Sequence, residues 1–256
     1  MGCRSRGGVK EMKNAQNVSI QTEFYKVLII GPPGTGKSVF ASTFPTPGFV
    51  FDFSGGIVLY RGLNFDYSQY AIAPQGWVQF ESDFREVSKS VSQGEYETVI
   101  FDDTTGLIDL AMERALQLDP KRNAAGGPLW NVHYQMVRNL IEGKLRQLIS
   151  MNCNIVVLSH MDVVKDDETG AILEVKPLMT GQLAIRMPGY FDEVYYTAVR
   201  KEGDKVKYMV QTISIGLKNA RSRLSGKEGL LPHFVPNDYN EVMAYLTQPT
   251  KKKATK

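Results

Sequence analysis

The sequence predicts a doubly wound α/β fold: a mostly parallel central sheet with helices on both faces, followed by β-hairpins toward the C-terminus. Three observations predict it. Four short apolar runs (27–30, 49–52, 98–101 and 155–158) have the length and composition of buried strands. Helically spaced apolar residues separate them, as a parallel sheet with crossover helices requires. A glycine-rich loop follows the first run at once, and the three later runs end in carboxylates or a histidine, at the strand ends where such sheets bind ligands.

In chain order, residues 1–20 are polar, lack periodicity and carry Arg4, Arg6 and Lys10, which predicts a flexible basic tail. A single domain over 21–248 follows, and 249–256 with Lys251, Lys252, Lys253 and Lys256 is a second basic tail. A short helix over 39–44 is ended by Pro45 and Pro47. The strand 49–52 closes on Asp52, and 57–76 is mixed and rich in tyrosine. Trp77, Phe80, Phe84, Val87 and Val91 recur at helical spacing. The strand 98–101 leads into Asp102 and Asp103 and then a helix over 104–118. A glycine-rich loop over 119–128 precedes a long amphipathic helix over 130–151, and the strand 155–158 ends at Ser159 and His160. Beyond it, alternating residues flank two turn signals, 166–170 and 202–204, each predicting a hairpin. A loop rich in Lys, Arg and Gly covers 218–228, and a last helix covers 238–246.

Composition bounds the rest. At 256 residues and 43% hydrophobic content, the chain has material for one large core. A net charge of +3 does not by itself declare a nucleic-acid binder. Two cysteines, Cys3 and Cys153, argue against a disulfide framework and fit a reducing cytoplasm. No apolar run approaches membrane-spanning length, and Arg6 stands where a myristoylation signal needs Ser or Thr, so neither a membrane partner nor a targeting segment is expected.

The chemistry concentrates at Gly31-Pro32-Pro33-Gly34-Thr35-Gly36-Lys37-Ser38, which matches G-x-x-x-x-G-K-[ST] throughout and predicts ATP binding, with Val39 next in line. Glycines let backbone N–H groups turn inward around a phosphate. Lys37 supplies charge for the β- and γ-phosphates, and the Ser38 hydroxyl is a ligand for Mg²⁺. Asp102, on a rigid strand end, is the second Mg²⁺ ligand; an aspartate in that place also occurs as a simple turn residue. Asp103 either orients the attacking water or caps the helix that starts at Thr104. His160 reads as a γ-phosphate sensor or a structural histidine. Lys218, Arg221 and Arg223 are a surface loop or, in an oligomer, a cluster that reaches a neighbour's γ-phosphate.

Taken together, GPPGTGKS, TVIFDDTT, NIVVLSH, TGQLAIRMPGYFDEVYYTAVR and the late KNARSR resemble phage-type P-loop ATPases with a RecA-like core, among them the RecA-like single-strand annealing proteins. The resemblance spans about 24–225. It implies ATP-dependent binding and annealing or pairing of single-stranded DNA by a homo-oligomeric ring or filament, a single-strand-binding protein as possible partner, and the host cytoplasm for a phage-encoded chain. It also implies DNA contacts in the loops after the third and fourth strands, here Lys121 and Arg122, then Lys165 and Lys176. Asp166, Asp167 and Glu168 in the second of these loops oppose phosphate.

One departure stands at the chemistry. RecA-like enzymes usually carry a glutamate two residues past an aspartate at the second strand's end; here Phe53 and Ser54 follow Asp52. Asp103 or Asp52 would have to substitute, or hydrolysis would be slow. Two rival readings follow: an AAA-type remodelling or DNA-packaging motor, and a nucleotide-switched oligomeric module with little turnover. The hairpins in place of a helical lid favour the RecA-like core.

Overall fold

The structure, a computed structural model, describes residues 24–225 and 229–247. Both basic tails read from the sequence fall outside the described residues, as do the last three positions of the 218–228 loop. Ten strands among the described residues form one sheet path with two side branches. The parallel core consists of β1 (Lys26–Gly31), β2 (Gly48–Asp52), β3 (Phe65–Gln69), β4 (Thr98–Asp102), β5 (Asn154–Lys165) and β7 (Glu193–Glu202). An antiparallel flank adds β6 (Ile172–Pro177), β8 (Lys205–Gln211), β9 (Arg221–Ser222) and β10 (Phe234–Pro236).

The order is β10-β8-β7-β1-β5-β4-β2-β3. Thus β5 stands between β1, which leads into the phosphate loop, and β4, which ends in Asp102. Helices cover both faces, as a doubly wound sheet requires.

The six residues of β1 are all buried, because strands covered on both faces need no polar side. Their alternation divides the core. Leu28 and Ile30 face α2 (Gly76–Ser92), α3 (Thr104–Leu118) and α4 (His133–Ile149). Val27 and Ile29 face α1 (Lys37–Ser42) and α6 (Tyr239–Thr247). A short α5 (Gln182–Arg186) closes the first of these layers beside β6.

Several boundaries differ from the sequence reading. The strand expected to end at 158 continues to Lys165: its first half pairs with β1 and β4, and its second half leaves the sheet as a hairpin with β6. The mixed stretch 57–76 contains a 3₁₀ turn, Ile57–Tyr60, and the edge strand β3. Its sequence, FDYSQ, is polar because the strand is paired on one side only and half-exposed. The long helix starts at His133, three residues after the expected 130, because the His133 ring closes the preceding loop. It bonds Leu129 N at 2.7 Å and Asp119 O at 2.8 Å.

Candidate nucleotide site

The loop between β1 and α1 depends on glycine at two kinds of position. Gly34 and Gly36 have φ of 72° and 91°, a region L side chains avoid. Gly31 is required by space: a Cβ there would fall 1.7 Å from the Thr197 hydroxyl. That closeness is used, since the Thr197 and Thr35 hydroxyls bond at 2.6 Å and Thr35 donates to Pro32 O at 2.7 Å. From the other side, Asn237 Nδ2 donates to Gly36 O at 2.8 Å. Residues far along the chain therefore brace the loop.

Register then sets the chemistry. Gly31 lies opposite His160 across β1 and β5, and Asp52 opposite Asp102 across β2 and β4. All four are at the carboxyl ends of parallel strands, on one rim. The Lys37 ammonium donates to Gly31 O (3.0 Å) and Pro32 O (3.1 Å) and meets His160 Nδ1 at 3.3 Å. Burial lowers its pKa, opposed by the charges of Asp103 and Asp102. An ammonium only donates, so His160 Nδ1 accepts and its Nε2–H donates to Asp103 Oδ2 at 2.8 Å. The other oxygen of Asp103 accepts from Thr105 N and Gly106 N at the start of α3. The helix-cap role therefore holds for Asp103, alongside its bond to His160.

Asp102 is almost wholly buried. Tyr60 donates its phenol to Asp102 Oδ2 at 3.0 Å, and the Ser38 hydroxyl hydrogen-bonds the same carboxylate. Burial raises its pKa to about 6; these two bonds pull it down, and Asp103 and Asp52 push it up. Asp52 has a different task from the water-orienting one expected of it. One oxygen accepts from Ser54 N, Gly55 N and Gly56 N, the other from Ile57 N and Gln69 Nε2. Both oxygens are committed to holding the turn after β2, so Asp52 has no lone pair directed at a water.

The residues present fit a magnesium nucleotide. Ser38 and Asp102 supply one hydroxyl and one carboxylate in contact, a small oxygen set of the kind Mg²⁺ takes when phosphates and waters complete its shell. Consistent with that, no group of three or more His, Cys, Asp or Glu among the described residues is placed to hold a metal alone. Beside the loop is a recess of about 260 Å³ between Gly36, Lys37, Ser38, Val39, Leu59 and Tyr208. Leu59 and Tyr208 are half-exposed there, two flat or apolar surfaces against which a base can lie.

The structure does not bring every candidate to this rim. Arg221 and Ser222 pair with Val194 and Glu193, the amino end of β7, whereas Lys37 follows the carboxyl end of β1. Arg221 donates to Pro188 O at 2.5 Å and Phe191 O at 2.8 Å, and Arg223 pairs with Asp192 at 2.9 Å. Lys218, on the loop between β8 and β9, lies 5.9 Å from the centre of the Tyr196 ring. Lys121 is exposed, while Arg122 folds back onto the carbonyls of Leu116, Asp119 and Lys121. Lys165 is at the exposed end of β5, and Lys176 pairs with Glu174 at 2.9 Å. Sequence reasoning missed Tyr60, Thr197, Tyr208 and Asn237. They have no motif: each reaches the loop or its acid from 22 to 201 positions away, and only pairing and packing bring them there.

An AAA domain family model matches residues 23–224. No sequence among the curated proteins matches the chain. Similar solved structures include a KaiC-like protein from the hyperthermophilic archaeon Pyrococcus horikoshii, with a TM-score of 0.44 and 12% identity over 83% of this chain and 86% of that one. The flagellar accessory protein FlaH from Methanocaldococcus jannaschii gives a TM-score of 0.40 and 9% identity over 82% and 83%. With the family model spanning most of the residues, and a complete phosphate loop facing Asp102 across a RecA-like strand order, the chain belongs to the AAA-domain family of P-loop NTPases.

Proposed function

We propose that the protein is a Mg²⁺-dependent ATPase of low turnover that acts, as a homo-oligomer, in the pairing or annealing of single-stranded DNA. The observation that carries the nucleotide half is the convergence of Lys37, Ser38, Asp102 and His160 on one sheet rim. The motif run from GPPGTGKS to KNARSR supports the DNA half.

In this reading the glycine loop presents backbone N–H groups to the phosphates, and Lys37 neutralises the β- and γ-oxygens. Ser38 and Asp102 hold Mg²⁺, which when bound offsets charge building on the transferred phosphoryl. Leu59 and Tyr208 flank the base. His160, its ring oriented by Asp103, reports the γ-phosphate to the β5–β6 hairpin that continues from it. Lys218 is the group assigned to a neighbour's phosphate, since Arg221 and Arg223 are held by their own chain.

A nucleotide-switched module with little turnover is favoured over a fast motor by one specific observation. Asp52 is fully occupied, Asp103 is shared between the cap and His160, and Asp102 is held by Ser38 and Tyr60, so none of these three carboxylates is free to polarise water. The experiment is hydrolysis and strand annealing measured with and without ATP and single-stranded DNA. ATP-dependent annealing with slow, DNA-stimulated hydrolysis is expected. Annealing that ignores ATP, or hydrolysis unaffected by DNA, overturns the coupling.

A further inference from the structure

We infer that the cleft between the start of α4 and the turn after β6 binds a base of single-stranded DNA, stacked on Trp130. The choice of occupant rests on the single-stranded DNA reading above; the cleft itself rests on independent features. Trp130 is 73% exposed, whereas Trp77 is buried in the core. The Trp130 ring packs against Tyr134 at 4.6 Å between centroids, which orients the indole and leaves much of it to solvent. An oriented, exposed aromatic platform is what single-strand binding uses, because every base offers a π-face.

The cleft measures about 360 Å³, room for a base and part of its backbone. Asn131, Gln135 and Gln182 offer amides to a base edge, and Arg138 is the one charged residue in the lining. No carboxylate lines it, unlike the hairpin tip with Asp166, Asp167 and Glu168. A single guanidinium suits the one charge that each nucleotide of a strand carries; a free triphosphate would need several cations.

The cleft is also connected to the rim. Leu178 N donates to His160 O at 2.8 Å, and Thr180 lies two residues further on. A shift of His160 on the nucleotide side therefore reaches one wall of the cleft.

The test is fluorescence anisotropy of a labelled oligo-dT and of an equal-length abasic strand, with ATP and Mg²⁺. Intrinsic emission is read in parallel, because Trp130 is the exposed one of two tryptophans. The wild type should bind oligo-dT with quenched emission and bind the abasic strand clearly more weakly. Trp130→Ala should weaken oligo-dT binding about tenfold or more, and Trp130→Phe should restore most of it. Arg138→Gln should reduce the salt dependence of log K by about 0.7, the loss of one phosphate contact. Thermal melting checks that each variant is folded. Equal oligo-dT affinity in wild type and Trp130→Ala, or equal affinity for the abasic strand, overturns the cleft and leaves the DNA reading standing. A wild type that ignores oligo-dT overturns both.

Discussion

Asp102 is a carboxyl kept where a charge is costly. It binds its proton more tightly folded than unfolded, with a pKa of about 6 against an ordinary value of 3.8. Below the unfolded value both states are protonated and nothing is lost. As pH climbs through that interval, stability falls, and above about pH 6 the penalty is fully present, about 3 kcal/mol for a shift of this size. Asp102→Asn should therefore melt at a higher temperature than wild type at pH 7.5 without nucleotide, and its advantage should vanish near pH 4. The same variant should lose the Mg²⁺ dependence of ATP binding; an unchanged melting temperature at pH 7.5 would count against this account. Asp103 divides differently. Asn caps a helix as well as Asp but cannot pair as an anion with His160. Asp103→Asn should keep its stability, while Asp103→Ala loses about 1 kcal/mol in urea unfolding. Both should weaken the ATP-dependence of annealing, since both free the His160 ring. Of these residue-level features, the phosphate loop, Asp102 and His160 were legible in sequence because they are bound to strand ends. The occupation of Asp52 by four backbone N–H groups was not, because it depends on how the turn after β2 folds.

At the scale of elements, legibility followed burial. The strands β1, β2, β4 and β5 show as apolar runs because both of their faces are covered. The edge strand β3 and the three-residue β10 carry no such signal, since one edge or one face is left to solvent. The last helix was expected at 238–246 and is found at Tyr239–Thr247, yet its docking could not be read locally. It packs on α1: Tyr239 stands 4.4 Å from Phe44 and edge-on to Tyr25 at 5.6 Å, and its backbone N–H donates to the Thr43 hydroxyl. Leu246 and Val242 fill the same layer as Phe40 and Ala41. This late element thus holds the helix that presents Lys37 and Ser38. Leu246→Ala should cost about 2–5 kcal/mol in urea unfolding, as for other buried leucines. ATP affinity should fall with it when measured near the midpoint, because α1 loses its cover. A variant as stable as wild type would show that α6 is not integral to the core.

At the scale of the molecule, the RecA-like and AAA-type readings that the sequence set against one another are not exclusive. The family is the AAA domain, and the strand order, with β5 between β1 and β4, is RecA-like. That order puts Arg221 toward the other end of the sheet from its own phosphate loop, whereas Lys218 lies beside Tyr196, which pairs with Ile30. Arg221 aligns with Val194, which pairs with Leu28, three residues and therefore about 10 Å short of Gly31 along the strand. In the proposed oligomer, a phosphate that Arg221 touches would therefore belong to another copy. The three side chains are not equivalent in that role. Arg221 bonds two carbonyls, so Arg221→Ala should lose about 1.5–3 kcal/mol of stability and any drop in hydrolysis would be ambiguous. Arg223 spends its charge on a surface pair with Asp192, worth about 0–1 kcal/mol. Lys218 is the informative position: Lys218→Ala should fold like wild type and lose hydrolysis. Mixed with Lys37→Ala subunits, which lack nucleotide binding but keep Lys218, it should regain part of its activity, since some interfaces then join an intact loop to an intact lysine. If no ratio of the two subunits recovers hydrolysis, Lys218 does not act across an interface, and that part of the proposed oligomeric mechanism fails.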